Sequence, residues 1–362
     1  MNLPGGAYGD SFATMNTTNN ALTIVVTGAS GYLGSWIVKT ALDAGHTVRG
    51  TVRDPENAEK TAHLRGLEHQ DRLTLHQADL LEPGAFDTTV AGADVVIHSA
   101  SPFARDNITD PDSQLIRPAV DGTRNVLSAV NASNTVSRVV LTSSVAAIMG
   151  DARDAGEYPD RVVDETRWNH SSSTDHEPYS YSKTLAEQAA WSMAEQQNRW
   201  TLVTINPAFI IGPSLSRRMD GASVSIMTQL ADGTFKQGAP EIFLGFVDVR
   251  DVALAHIRAA ERSEATGRFI TAERVASFPQ IAQVLRERYG ATYQFPKGRV
   301  PKLLLWLIGP AVGITRRYVR TNVGYPFTLD TRRSREVLGL EYRDARETAV
   351  AHIAQLAEFG AL

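Results

Sequence analysis

Tyr179 and Lys183, in Tyr179-Ser180-Tyr181-Ser182-Lys183, are four residues apart. On a helix that spacing puts both side chains on one face, where a phenol and an ammonium can share a proton-transfer site. A phenol ordinarily titrates near pH 10, and a neighbouring ammonium favours the phenolate and lowers that value. Placed beside a carbonyl, such a phenol gives its proton to the developing alkoxide, help worth about 10²–10⁴ in rate. Tyr181 has the wrong spacing to pair with Lys183 and reads as helix packing or pocket wall. Thr142-Ser143-Ser144 closes an apolar run. A hydroxyl at such a strand end can hold a substrate oxygen and stabilise its growing charge. Ser144 is the preferred residue over Ser143, giving Ser144, Tyr179 and Lys183 as the catalytic set.

Upstream, Thr27-Gly28-Ala29-Ser30-Gly31-Tyr32-Leu33-Gly34 follows the apolar run Leu22 to Thr27. It leads into a stretch, Gly31 to Ala44, with Leu33, Trp36, Ile37 and Ala41 on one side. Glycines Gly28, Gly31 and Gly34 between a strand and a helix make a dinucleotide turn. The helix start then offers free N–H groups and a positive dipole end to a pyrophosphate. Ser30, Tyr32 and Leu33 belong to the same expected contact set. Together with the Tyr–Lys pair, this turn implies a nicotinamide-dependent oxidoreductase.

The second strand, Thr47 to Val52, ends Thr51-Val52-Arg53-Asp54, so Val52 stands where an NAD-binding carboxylate is expected. Arg53 can grip a 2′-phosphate that a carboxylate would repel, and Lys60 lies within the next turn. NADPH/NADP+ is therefore expected rather than NADH. Asp54 either takes the ribose or caps the segment before Pro55. Asp79 reads as an adenine contact, with Leu80 beside it. Ser99, Ala100 and Pro207 complete the expected cofactor set, and Tyr179 and Lys183 also face it, Lys183 reaching the nicotinamide ribose.

Further strands are expected at 72–76, 94–97, 139–142, 202–205 and 268–271, with helices at 115–132, 179–197 and 248–261. Strands buried on both faces and separated by helices imply a doubly wound parallel α/β sheet. The expected division is a disordered extension over 1–20, a Rossmann domain over 21–206 and a smaller substrate lobe over 207–362. Segments around 246–271 return to the Rossmann domain.

A chain of 362 residues with 43% hydrophobic and 21% charged content is an ordinary globular composition. A net charge of −4 gives no electrostatic reason to expect nucleic acid. The absence of cysteine excludes disulfides and thiolate chemistry and fits a reducing cytoplasm. The nine histidines form no HxxxH pair, so no metal site is expected. The first 20 residues lack a secretory pattern. The apolar run Leu303 to Val312 is half the ~20 residues needed to span a bilayer. It reads as a buried helix, with no membrane partner, although Arg316, Arg317 and Arg320 leave an interfacial contact open. Monomer and homodimer both remain open.

The Thr27–Gly34 turn, Thr51-Val52-Arg53-Asp54-Pro55, Leu141-Thr142-Ser143-Ser144 and above all Tyr179 to Trp191 resemble the extended short-chain dehydrogenases/reductases. The nearest likeness is to the dihydroflavonol reductase and cinnamoyl-CoA reductase group, with its microbial ketone and aldehyde reductases. Similarity continues at Asn206-Pro207 to Gly212-Pro213, Phe246 to Val252 and Gly267 to Ile270. The resemblance implies Ser144, Tyr179 and Lys183 as the triad and Arg53 with Lys60 at the 2′-phosphate. It also implies main-chain contacts to the nicotinamide amide after Pro207. Where plant dihydroflavonol reductases carry asparagine five residues beyond the serine, Met149 stands here. Phe103, Met149 and Phe209 are thus expected as an apolar substrate wall, which puts a flavonoid substrate in doubt.

The expected reaction is reduction of an aldehyde or ketone to an alcohol. An NAD-recycling sugar-nucleotide epimerase or dehydratase and a hydroxysteroid dehydrogenase are alternatives on the same fold. A non-enzymatic dinucleotide sensor is disfavoured because the tyrosine and lysine are both present.

Overall fold

The computed structural model describes residues 21–101, 108–217 and 221–362. The expected extension over 1–20 and the expected wall residue Phe103 lie outside the described residues. Short β-branched runs alternate with helices through the first half of the chain. Strands β1 (Thr23–Thr27), β2 (Thr47–Val52), β3 (Leu73–Gln77), β4 (Val95–His98) and β5 (Arg138–Thr142) come first. Between them lie α1 (Tyr32–Asp43), α2 (Ala58–Arg65), α3 (Asp87–Val90) and α4 (Arg117–Ala132). The chain then passes a short β6 (Val162–Val163) to α5 (Pro178–Glu195) and β7 (Thr201–Pro207).

The second half crosses repeatedly between the main sheet and a lobe. It contains β8 (Phe209–Ile211), α6 (Ala222–Ala231), β9 (Phe243–Asp248), α7 (Val249–Glu261), β10 (Gly267–Thr271) and β11 (Arg274–Ser277). Then follow α8 (Phe278–Tyr289), α9 (Lys302–Ile308), α10 (Arg316–Asn322), β12 (Thr328–Leu329), α11 (Arg332–Glu336) and α12 (Ala345–Glu358).

Seven strands pair in parallel in the order β10-β7-β5-β4-β1-β2-β3. Alternate side chains of each strand enter opposite layers. Ile24 and Val26 of β1 join Ile37, Leu42, Val252 and Ile257 on the α1 and α7 face. Val25 joins Val126, Leu127, Val130 and Ala190 on the α4 and α5 face. Each fully buried Val, Ile or Leu contributes about 1.5–3 kcal/mol, so neither layer can be removed without exposing the other side of the same strands. The direction of strand succession reverses between β1 and β4. Loops leaving their carboxyl ends therefore diverge, opening the crevice where such sheets bind ligands.

The lobe carries a three-stranded sheet, β11-β9-β8, with β8 parallel and β11 antiparallel to β9. Its core joins Ile211, Phe246, Met227, Leu230, Ile281, Leu285, Ile353 and Leu356. Helix α4 begins two residues later than the periodicity suggests, because a π-helical stretch, Asp112–Ile116, precedes it. The segment around 303 differs more seriously from expectation. Only Leu305 of α9 is buried, while Leu303, Leu304, Trp306, Leu307 and Ile308 are exposed. A helix apolar on every side has one face more than the lobe can cover. Among the described residues, no helix is long and apolar enough to cross a membrane.

Candidate active site

The turn after β1 is shaped by contacts that leave no room for side chains. Gly28 has φ +67°, and a Cβ there would lie 3.0 Å from the Ala100 backbone. A Cβ on Gly34 would sit 2.2 Å from the Gly28 carbonyl oxygen, so only glycine lets α1 start this close to the turn. Gly31 caps α1 with extended backbone and no side-chain bond, and the first turn holds no acid. Its N–H groups lack acceptors within the helix, and the dipole adds positive potential.

A cavity of about 780 Å³ lies over this turn. Gly28, Ser30, Gly31 and Tyr32 line it from the turn, and Arg53, Asp79 and Leu80 from the ends of β2 and β3. Ser99 and Ala100 line it from the end of β4. They are held by β1: the Ser99 hydroxyl donates to the Thr27 carbonyl at 2.7 Å, and the Ala100 N–H to Thr27 Oγ1 at 3.0 Å. Leu33 packs against the core and Gly34 is buried, so both shape the turn from beneath. Lys60 is exposed on α2 and Pro207 is buried at the end of β7, and neither lines the cavity. Asp54 accepts from the Glu56 N–H at 3.0 Å, the capping alternative of its two readings. Asp79 likewise accepts from the Leu81 N–H at 2.9 Å while bordering the cavity.

The lobe closes the other side with residues that no short motif signals, among them Ser214, His352, Gln355 and Phe359. They arrive from positions far along the chain. Two staples hold the lobe to α1: the Tyr32 hydroxyl donates to the Gly212 carbonyl and the Trp36 indole to the Pro213 carbonyl, both at 2.8 Å. Gln355 Oε1 in turn accepts from the Ser214 N–H at 2.6 Å.

The proton-transfer pair stands on α5, which starts with Pro178 after Glu177 in the left-handed region (φ 53°). Lys183 Nζ lies 6.0 Å from the centre of the Tyr179 ring and donates to Ser101 Oγ at 3.1 Å. Burial lowers the Lys183 ammonium to about 8, with the Glu187 carboxylate pulling the other way. Tyr179 is 40% exposed. Even so, desolvation of its phenolate pushes the phenol up to about 12. The ammonium, 6.0 Å from the ring centre and turned to Ser101, does not offset that rise. A phenol so placed keeps its proton at neutral pH.

The two serines after β5 have different surroundings. Ser143 is buried and donates to Glu187 Oε2 at 2.5 Å. Ser144 is half-buried with extended backbone, and its Oγ accepts from the Ala146 N–H at 3.1 Å. Its carbonyl accepts from Asn206 Nδ2 at 3.2 Å, which ties the strand end to β7.

Beneath them lies Glu187, one turn beyond Lys183 and 0% exposed. It accepts from Arg268 Nε at 2.7 Å and from Asn206 Nδ2 at 2.8 Å. Trp191 and Thr204 donate to it at 3.2 and 3.3 Å. The Arg268 guanidinium also stacks on Trp168 at 4.0 Å. Glu187, Asn206 and Arg268 have no assigned part in the motif reading. Their signal in the sequence is a charged or amide side chain inside otherwise apolar helix and strand patterns.

The expected wall dissolves in part. Met149 is 8% exposed and belongs to a core cluster with Ile148, Val163, Ile270 and Phe327. Phe209 remains half-buried, edge-on to Phe246 with ring centres 5.8 Å apart.

A doubly wound parallel sheet, a three-glycine turn at its switch point and a Tyr–Lys helix define the extended short-chain dehydrogenase/reductase class. The chain belongs to the NAD dependent epimerase/dehydratase family, whose model matches residues 24–271. Cinnamoyl-CoA reductase CAD2 of Medicago truncatula is 44% identical over 278 residues, 76% of this chain and 83% of that protein. Tetraketide alpha-pyrone reductase 1 of Arabidopsis thaliana is 36% identical over 349 residues, 94% of this chain and 96% of its own. The structure of yeast methylglyoxal/isovaleraldehyde reductase Gre2 complexed with NADPH superposes with a TM-score of 0.75 at 27% identity. It covers 94% of this chain and 99% of that one.

Two expectations follow from this geometry. Competitive acetylation of Lys183, read by mass spectrometry against pH, should show a midpoint near 8. Glu187→Gln, which removes the charge that raises it, should move that midpoint down; an upward move contradicts the electrostatics. Glu187→Ala strands the Arg268 charge and should cost about 3–5 kcal/mol in urea unfolding.

Proposed function

We propose that this protein is an NADPH-dependent reductase that converts an aldehyde or ketone to an alcohol. The observation that carries the reading is the placement of Tyr179 and Lys183 on one face of α5, with Lys183 Nζ 6.0 Å from the centre of the tyrosine ring. The cofactor fits what the cleft offers: a turn whose glycines leave space where side chains would stand, an uncapped helix start and Arg53 at the end of β2. Bound there, NADPH supplies the hydride from its nicotinamide C4.

The chain's residues do the rest. Main-chain N–H groups of the glycine turn hold the pyrophosphate, and Arg53 pairs with the 2′-phosphate. Lys183, charged below about pH 8, orients the nicotinamide ribose. Ser144 Oγ holds the carbonyl oxygen, and Tyr179 gives its proton to that oxygen as negative charge develops. Ser143 takes no part, because Glu187 commits its hydroxyl. The relatives named above, reductases of cinnamoyl-CoA, a tetraketide alpha-pyrone and methylglyoxal/isovaleraldehyde, support carbonyl reduction in general. They do not select one substrate. Val52 and Arg53, in place of a ribose-binding acid, disfavour the NAD-recycling epimerase reading.

Purified protein should oxidise NADPH with at least part of a panel of aldehydes and ketones. Denaturation should release no stoichiometric NAD; its release would favour an epimerase or dehydratase. Tyr179→Phe should lower kcat about 10²–10⁴-fold with NADPH affinity nearly unchanged, whereas parallel loss of both would remove the tyrosine from the chemistry. Arg53→Ala should weaken NADPH about 10- to 100-fold and leave NADH little affected. Equal losses for both would overturn the cofactor assignment.

A further inference from the structure

Seven large hydrophobic side chains are exposed among the described residues, and five of them belong to the seven-residue helix α9. Leu303 is 72% and Leu307 56% exposed, with Leu304, Trp306 and Ile308 beside them. Pro310 and Ala311 prolong the apolar surface. A monomeric surface scatters such side chains singly, and a cluster marks an interaction site.

The segment that carries this cluster has one sign of charge, although Arg299 is ion-paired with Glu241 at 2.9 Å. Residues 297–320 hold Lys297, Arg299, Lys302, Arg316, Arg317 and Arg320 and no Asp or Glu, in a chain of net charge −4. All six are exposed. Arg316 stacks on the Trp306 ring at 4.6 Å, joining the cationic rim to the apolar centre. The patch is held firmly. Leu305 and Val319 anchor α9 and α10 in the lobe core. Lys302 Nζ donates to the Val323 carbonyl at 2.7 Å, and Asn322 Nδ2 reaches Asp151 at 2.6 Å.

We propose that α9 and its basic rim form a peripheral docking site for an anionic lipid surface. Aliphatic side chains with one tryptophan, ringed by Lys and Arg, match the boundary between acyl chains and negative headgroups. A helix lying in that plane buries its apolar side roughly 5–10 Å deep while the cations stay with the headgroups. Charge argues against a second copy of the chain, since a two-fold contact would press the cationic rim against itself. The helix is also only about 10 Å long, a small part of the roughly 20–30 residues a side that stable protein interfaces use.

Co-sedimentation of the full chain with phosphatidylcholine vesicles containing about 30% phosphatidylserine tests this. The protein should pellet with these vesicles and not with pure phosphatidylcholine, and salt should release it. Tryptophan emission should shift to the blue on binding, and Trp306→Phe should abolish the shift. Leu303→Ser with Leu307→Ser, and separately Arg316→Gln with Arg320→Gln, should each weaken binding about tenfold or more. Circular dichroism and NADPH oxidation with a water-soluble aldehyde should stay as in the parent. The proposal fails if the anionic vesicles do not retain the protein, or if neutral and anionic vesicles bind it equally. It also fails if gel filtration shows a dimer that the leucine variants dissociate.

Discussion

Glu187 is the constraint through which the site is registered. A buried carboxylate is tolerable only when every lone pair is engaged, and here partners come from three strands or strand ends of the sheet. Arg268 brings β10, Asn206 and Thr204 bring β7, and Ser143 brings the end of β5, while Glu187 itself belongs to α5. Because the penalty for losing any partner is large, the helix cannot slide along the sheet by a turn. Lys183 and Tyr179 thereby acquire fixed positions relative to Ser144. The same carboxylate opposes the desolvation of Lys183. One group thus sets both position and charge.

The electrostatics of the pair run against the simplest expectation. Two ionisable neighbours were expected to stabilise each other's charged forms, but burial acts on both first. It holds the phenol protonated and makes the ammonium easier to lose. A general acid works best with a pKa near the operating pH, so the rise keeps the proton in place but weakens the phenol as a donor. Spacing alone shows that the two share a face. It carries no information about how much water each one keeps.

Much of the fold was legible because the inner sheet strands are short apolar runs buried on two faces, while edge strand β3 (LTLHQ) is only part-buried; all seven lie within two residues of expectation. The glycine turn was legible for a related reason: Gly34 leaves no room for an alternative residue. Other features have no local signature. Met149 looks the same in sequence whether it faces a cavity or Phe327, and only the tertiary fold decides. His352 and Gln355 reach the cleft from the last helix, more than 300 residues after the glycine turn. Helix α9 misled for the opposite reason, since apolar composition measures the wish to be covered and not the presence of a cover.

The lobe is woven into the nucleotide-binding layer and not appended to it. The backbone passes from β7 to β8, returns from β9 into α7, and leaves again from β10 to β11. Severing any one of these links leaves two others intact, so a single proteolytic nick frees no fragment. Loss of structure in the smaller sheet pulls directly on the strands beside Glu187, because β7 runs on into β8 and β10 into β11.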